Sequence, residues 1–273
     1  MKKYEFTGET KVLDNGITVN RIRALIDIGS KEVTVGDLGG WIEKESNLNH
    51  EGDAWVFDNA EVYGNAKVCG DAWVYGNAKV CDNAWVYGNA EVYGNAKVCG
   101  DAEVYDNAWV YGNAMIYGDA WIFGNAKVYG DAKVYGDAWV YGNAKVCDNA
   151  WVYGNAKVYG DAWVCGDAWV FDNAEVYGNA CVYGDAEVYG DAEVSETSHV
   201  LTIGQIGSRE STTTFFKSNE ANIMVACGCF LGTIDEFLEA VNKTHGNNKH
   251  GKVYRAAIEL AKLQFNLGDS LSH

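Results

Sequence analysis

The hydrophobic pattern through the middle of this chain has a single period, and it is six. From Ala54 to Val194 the frame Ala-x-Val recurs every six residues without insertion or deletion, with Ile replacing Val only at Ile116 and Ile122. Ala fills all 24 of its positions and Val or Ile all 24 of theirs. Residues two apart on an extended chain share a side, because strand side chains alternate. In Ala72-Trp73-Val74-Tyr75, Ala72 and Val74 face one way and Trp73 and Tyr75 the other. Gly76-Asn77 follows, a pair that tolerates left-handed backbone angles and so makes a corner. A helix fails to explain the pattern, since a step of six does not return to one face of a 3.6-residue turn. Four extended residues cannot stand alone, so the frame predicts short strands that stack coil upon coil.

Written from Val68, the unit VCGDAW is an aliphatic residue, three variable positions, a small residue and one more variable position. In this the chain resembles the hexapeptide-repeat proteins over about half its length. The resemblance implies a mainly β fold, a left-handed parallel β-helix with three hexads to each triangular turn, hence about eight turns. At a strand spacing of ~4.8 Å that makes a prism roughly 35–40 Å long. Val and Ala would fill the shaft in layers. Corner Asn residues would bond to their counterparts above and below. Asp101, Asp119 and Asp137, eighteen apart, would be stacked carboxylates that repel one another, and they read as solvated charge rather than a metal site.

Either side of the frame the pattern changes. Alternation through Ile17, Val19 and Ile22 around Asn15-Gly16 predicts a β-hairpin. Residues 1–50 are expected to cap the column, because an open coil end is an unpaired sheet edge. That hairpin, followed by GDLGGWIEKESNL and GDAWVFDNA, resembles hexapeptide-repeat proteins of bacteria and their phages, some of them classed as acyltransferases through the repeat itself. The column takes residues 51–197. In residues 198–273, HVLTIG, TTTFFKS and ANIMVACGCF read as strands. A helix opens on the capping box Thr233…Glu236 and closes at Gly246, and KVYRAAIELAKLQFNLG is a second, amphipathic helix. This C-terminal α+β module is expected to cap the far end, to carry the specific function, or to join copies into a homo-oligomer.

Composition narrows the chemistry. A net charge of −17 argues against direct nucleic-acid binding, which needs basic patches. No apolar run reaches the ~20 residues of a membrane helix. MKKYEFTGETKV has no apolar segment behind its lysines, so it is not a secretory signal and a cytoplasmic location is expected. Eight cysteines in such a chain read as free thiols. Cys81 with Cys99, and Cys147 with Cys165, stand eighteen apart and so stack, close enough for a disulfide but with parallel side chains poorly aimed for one. Cys227-Gly-Cys229 reads as part of a buried strand rather than a zinc knuckle. Hexapeptide acyltransferases use a histidine base and loops that leave the coils, and the related γ-class carbonic anhydrases hold zinc through three coil histidines. Here His50, His199, His245, His250 and His273 all lie outside the column, and no loop interrupts it. No catalytic residue, metal or cofactor is therefore expected. Acyl transfer is the alternative reading, with His199, just past the last coil, as its one candidate base.

The outer positions carry what is left. Nine of the ten Trp stand immediately before a Val or Ile of the frame: Trp55, Trp73, Trp85, Trp109, Trp121, Trp139, Trp151, Trp163 and Trp169. At eighteen-residue spacing Trp55 stacks on Trp73, Trp121 on Trp139 and Trp151 on Trp169. Such ladders stabilise sheets, and Trp and Tyr are also the preferred residues of binding hot spots. Between Asp53 and Val194, 7 Lys face 21 Asp and Glu, so most of the negative charge sits on the column. The expectation is a non-catalytic scaffold, phage- or prophage-encoded, that presents these tryptophans and acidic ladders to a protein partner. An acidic antagonist that imitates nucleic acid is a further alternative.

Overall fold

The computed structural model describes residues 1–29, 33–218 and 222–266; His273 lies outside them. Each hexad makes one short strand, from β4 (Trp55–Val56) through β27 (Glu193–Val194). Every third strand pairs in parallel and in register with its eighteen-residue neighbour, as Trp73 does with Glu91 and Glu91 with Trp109. Three hexads therefore complete one turn, and the turns stack into three sheets. We call them the hairpin face (Glu61 to Glu187), the thiol face (Trp55 to Cys181) and the ladder face (Lys67 to Glu193). Every Ala, Val and Ile of the frame is buried in the shaft between them. Burying one Val is worth roughly 1.5–3 kcal/mol, which is what drives a coil with so little other core.

The corners are built by two devices. Their first residue adopts positive φ: Gly112 stands at +72°, and a Cβ there would lie 3.0 Å from the backbone N and O of Gly130. Asp58, Asp82, Asp106, Asp148 and Asp172 take the same left-handed place without being Gly. At four of the five the carboxylate accepts the N–H of the glycine one coil on, for example Gly124 to Asp106 at 3.3 Å and Gly100 to Asp82 at 3.1 Å. The second corner residue forms the amide ladders the repeat predicts. Asn59, Asn77, Asn95 and Asn113 each donate to the next side chain, and the run ends on Asp131. It ends there because a carboxylate has no proton to pass on.

Backbone N–H groups of each coil donate to carbonyls of the following coil, as in Tyr75 to Val92 (3.0 Å) and Asn77 to Gly94 (2.8 Å). The prism thus presents an excess of carbonyls at one end and of N–H groups at the other, while the frame Val N–H of each coil donates back to the coil before it. At the carbonyl end the cap supplies donors. Buried Lys3 donates its Nζ to the carbonyls of Gly52 (3.1 Å) and Ala54 (2.7 Å), and Asn47 donates its amide to Gly64 (3.2 Å) and Ala66 (2.8 Å). At the N–H end the cap supplies an acceptor, with Glu187 N donating to Thr214 Oγ1 at 3.1 Å.

The antiparallel hairpin of β1 (Tyr4–Val12) and β2 (Thr18–Ala24) turns at Asn15-Gly16 as expected. It joins the hairpin face through β3 (Leu38–Ile42), and Tyr4, Ile22 and Leu48 close the shaft. β3 lies parallel to the first coil with Trp41 opposite Glu61, and Leu48 bridges Val68. Residues 38–50 therefore wind a further turn, so the solenoid has about nine turns where the hexads count eight. Trp41 and Glu61 are twenty apart rather than eighteen, which hides this turn from the six-residue frame.

Beyond the coils, β28 (Val200–Ile206), β29 (Ser211–Lys217), β30 (Ile223–Cys227) and β31 (Phe230–Thr233) form an antiparallel sheet in chain order. Helices α1 (Ile234–His245) and α2 (Lys249–Gln264) pack on it. The Thr233–Glu236 capping box opens α1 as expected. β29 divides its faces by strand alternation: Phe215 enters the core with Phe237 and Ile258, whereas Phe216 joins the core of the coils. Cys229 departs from the buried-strand expectation, because it stands exposed in the turn after β30 while Cys227 is half-buried.

Two outcomes follow from this architecture. Gly112→Ala should destabilise the chain by about 1–2 kcal/mol in thermal or urea melts, through left-handed strain. Gly112→Asp should cost less, since its carboxylate can take the next coil's N–H. Glu61 is the acid-sensitive tie between cap and column, bonded by Lys11 of β1 and Lys79 of the second coil, both at 2.9 Å. Burial alone would raise its carboxyl, but the two ammonium groups hold it below the ordinary 4.5. Its contribution is thus present above that value and lost as pH falls through the lower folded-state pKa. Hydrogen exchange over residues 1–29 should accelerate there first, and Glu61→Gln should remove roughly 1–3 kcal/mol at neutral pH and flatten that acid dependence.

Candidate functional site

The outward positions fall into three columns of different character. On the ladder face, Tyr87, Tyr105, Phe123, Tyr141, Tyr159 and Tyr177 stack over six coils with centroids 4.8–5.0 Å apart and planes within 6°. The thiol face carries a shorter run, Tyr75 through Tyr93 and Tyr111 to Tyr129. The hairpin face carries Tyr135, Tyr153, Phe171 and Tyr189. Phenol tips do not project idly. Tyr75 donates to Glu91 (2.8 Å), Tyr87 to Glu103 (2.8 Å) and Tyr159 to Glu175 (3.0 Å), each on the following coil. The rings lie half-buried against the sheet, with their polar edges tied to carboxylates.

The nine tryptophans do not form one patch. Trp85, Trp121 and Trp139 are on the ladder face, Trp55, Trp73, Trp109 and Trp163 on the thiol face, Trp151 and Trp169 on the hairpin face. Trp121 stacks on Trp139 at 5.1 Å and Trp151 on Trp169 at 5.0 Å, as their spacing predicts. Trp55 corrects the expectation twice. It pairs with Trp73 in backbone register, yet its ring is turned under the cap, fully buried, edge-on to Tyr4 at 6.3 Å. Trp73 packs instead on Phe57 at 5.3 Å. Trp55 is therefore closed to any partner, because the N-terminal hairpin folds back over the first coil. Lysines of adjacent coils lie over Trp85, Trp109, Trp151 and Trp163 at 4.1–4.5 Å, cation–π contacts that cover one face of each ring. What projects furthest is Trp163 (44% exposed), Trp85 (41%), Trp169 (38%) and Trp139 (36%).

His199 stands beside Ser195 Oγ (Nδ1, 3.2 Å) and Lys217 Nζ (Nε2, 2.9 Å). Nδ1 also accepts the backbone N–H of Ser195 at 3.3 Å, so both ring nitrogens are engaged within the protein. Burial first, then the Lys217 charge, holds the imidazole below its ordinary pKa. Lys217, on β29, carried no sequence signal linking it to His199; the antiparallel pairing of β28 with β29, Val200 opposite Phe216, brings them together. A cleft of about 220 Å³ in the same module is lined by Arg209, Cys227, Cys229, Phe230, His245 and Tyr254. Its half-buried thiol, Cys227, is engaged by Thr213 Oγ1 at 3.2 Å and Tyr254 Oη at 3.8 Å.

The cysteines also depart from expectation. Cys81 and Cys99 are joined as a disulfide across adjacent coils, with Cα atoms 4.7 Å apart. In-register neighbours fall within bridging distance, and rotation about Cα–Cβ turns the two sulfurs together. Cys147 and Cys165, spaced the same way, remain thiols. Burial pushes the Cys147 thiol up to about 11, against a hydrogen bond with Tyr129 and with the Asp148 charge adding to the rise. It is protonated near neutral pH and is no nucleophile by itself. Among the described residues, Cys81–Asp82–Cys99 and Cys147–Asp148–Cys165 are the groups whose ligand atoms converge closely enough to share a cation.

Replacing Lys217 tests the reading of His199. In Lys217→Met the His199 pKa should rise toward its ordinary 6.5 when followed by imidazole NMR, because a repelling cation has gone. An unmoved titration would mean that the ammonium does not set the ring's proton.

No helix among the described residues is long and apolar enough to cross a membrane. None of the curated proteins compared matches the chain. A family model described as the YdcK β-solenoid repeat matches residues 108–124, just under one turn of the column. Together with the stacked parallel coils, that similarity supports a place among β-helix repeat proteins.

Proposed function

We propose that this chain is a rigid, non-catalytic scaffold that holds a protein partner along its ladder face. One observation carries the reading: Trp85 and Trp139 project from the face whose aromatic ladder runs unbroken over six coils. Large rigid rings already held in place lose little entropy on binding, and Trp and Tyr dominate binding hot spots. Glu103, Glu175 and Glu193 border the strip, which favours a partner with cationic side chains among its apolar contacts. Against acyl transfer stands the engagement of both His199 ring nitrogens within the protein, Nδ1 by Ser195 and Nε2 by Lys217.

The finer parts of this reading rest on the repeat and the surface. The hexad frame supports a left-handed coil and kinship with the hexapeptide-repeat proteins. GDLGGWIEKESNL followed by GDAWVFDNA supports a phage or prophage source, and the free thiols favour a cytoplasmic place of work. Leu260 and Leu263, one turn apart on α2 and exposed, support pairing of two copies through the C-terminal module.

The test is retention of a protein at fixed stoichiometry from an extract of the source cells. Trp85→Ala/Trp139→Ala should weaken that complex at least tenfold with the far-UV circular dichroism unchanged, whereas Trp163→Ala on the thiol face should leave it intact. Equal retention by the double variant would refute the ladder-face reading. So would turnover of an acyl-CoA that disappears in His199→Ala.

A further inference from the structure

Beyond the last coil, two neighbouring hairpin turns and the two helices enclose the cleft of about 220 Å³ for which the scaffold reading has no use. Arg209 comes from the turn between β28 and β29 and Cys229 from the turn between β30 and β31. Phe237, Val241 and His245 come from α1, and Tyr254 from α2. A glycine in each turn makes room for a polar group of the cleft. A Cβ on Gly207 would overlap the Tyr254 hydroxyl, and one on Gly228 would lie 3.3 Å from a guanidinium nitrogen of Arg209.

The charge of the cleft runs against that of the chain. The whole carries −17, yet among the described residues no Asp or Glu lines the cleft and Arg209 is its one permanent charge. Arg209 reaches the Cys229 thiol at 3.7 Å, and among the described residues no carboxylate forms an ion pair with it. The C-terminal end of α1 does not oppose an anion there, because Arg255 already covers it, donating to the Gly246 carbonyl at 2.9 Å. The neutral donors are aligned as well. Thr213 Oγ1 donates to Cys227 Sγ (3.2 Å), which donates to Tyr254 Oη (3.8 Å). That run ends at Tyr254, so its own O–H is left to donate to whatever enters. Burial first, then the neighbouring Cys227, raises the phenol above its ordinary range, so it keeps its proton. Phe230, Phe237 and Val241 supply an apolar floor.

We propose that this cleft binds a small organic carboxylate whose body is aromatic or branched and apolar. The planar guanidinium of Arg209 takes the carboxylate through paired N–H donors, Tyr254 adds a third, and the body lies on Phe230, Phe237 and Val241. Pockets for drug-sized ligands start at about 300 Å³, so this volume suits a smaller acid, on the order of ten heavy atoms. A bare anion such as phosphate would leave the apolar floor empty. The cleft belongs to the C-terminal module and includes neither Trp85 nor Trp139, so its occupancy is independent of the ladder-face reading.

The isotope-labelled full chain is titrated with phenylacetate and, separately, with 3-methylbutanoate, and followed by amide NMR. The expected result is saturable shifts in residues 207–211, 227–230 and 241–245, with a Kd of about 1 mM or tighter for at least one acid. Phenylacetamide, which has the shape of phenylacetate without its charge, should bind at least tenfold more weakly, and so should inorganic phosphate. Arg209→Met should weaken binding of the acid at least tenfold; Arg209 is exposed, so the fold will tolerate the change. Lys243→Gln, at the same end of α1 but outside the cleft, should bind like the parent. Absence of saturable shifts with both acids, equal affinity for phenylacetamide or phosphate, parent-like affinity in Arg209→Met, or a tenfold loss in Lys243→Gln would each overturn the proposal.

Discussion

Everything in this molecule depends on the ladder of backbone hydrogen bonds that joins each coil to the coil after it. Repeated at every strand, it locks eighteen-residue neighbours into vertical register, so Val lies over Val, Asn over Asn and ring over ring. Slipping one strand by a residue would turn its whole buried set outward. The same ladder gives the prism a direction. A stack of parallel coils cannot have two equivalent ends, and its caps differ accordingly: Lys3 and Asn47 offer donors to bare carbonyls, and Thr214 offers an acceptor to a bare N–H.

Register also decides what the exterior can carry. Flat rings stack at close to the coil spacing, amides chain donor to acceptor, and a lysine lies over the tryptophan of the next coil. Carboxylates can do none of these with one another. They appear as terminators of amide runs, as acceptors for tyrosine, or as corner residues whose bond to the next coil offsets left-handed strain. Much of the aromatic surface is thus committed to holding the coils together, and only a few rings project beyond it.

The hexad frame made the strands, the corners, the shaft and the amide ladders legible, because each depends on residues at fixed small separations. The α1 capping box was legible for the same reason. Trp55 was misread because a residue's outward direction does not say what folds over it, and the hairpin that covers it is some fifty residues upstream. The ninth turn was missed because its strand is offset by twenty residues rather than eighteen. The Cys81–Cys99 bond was underrated because parallel Cα–Cβ vectors were treated as rigid, when a single rotation brings the sulfurs together.

The sequence by itself determined the period, the sidedness of every coil residue and the identity of the core, since these follow from strand alternation and an unbroken count of six. Only the tertiary structure decided which outward residues are covered, which sulfurs meet and how each end is satisfied. Lys3 reaching Ala54 across 51 residues, and Lys217 meeting His199 across the β28–β29 pairing, are contacts that the six-residue frame does not encode. Periodicity reports which side a residue faces, whereas burial, bonding and protonation depend on what the rest of the chain brings to that side.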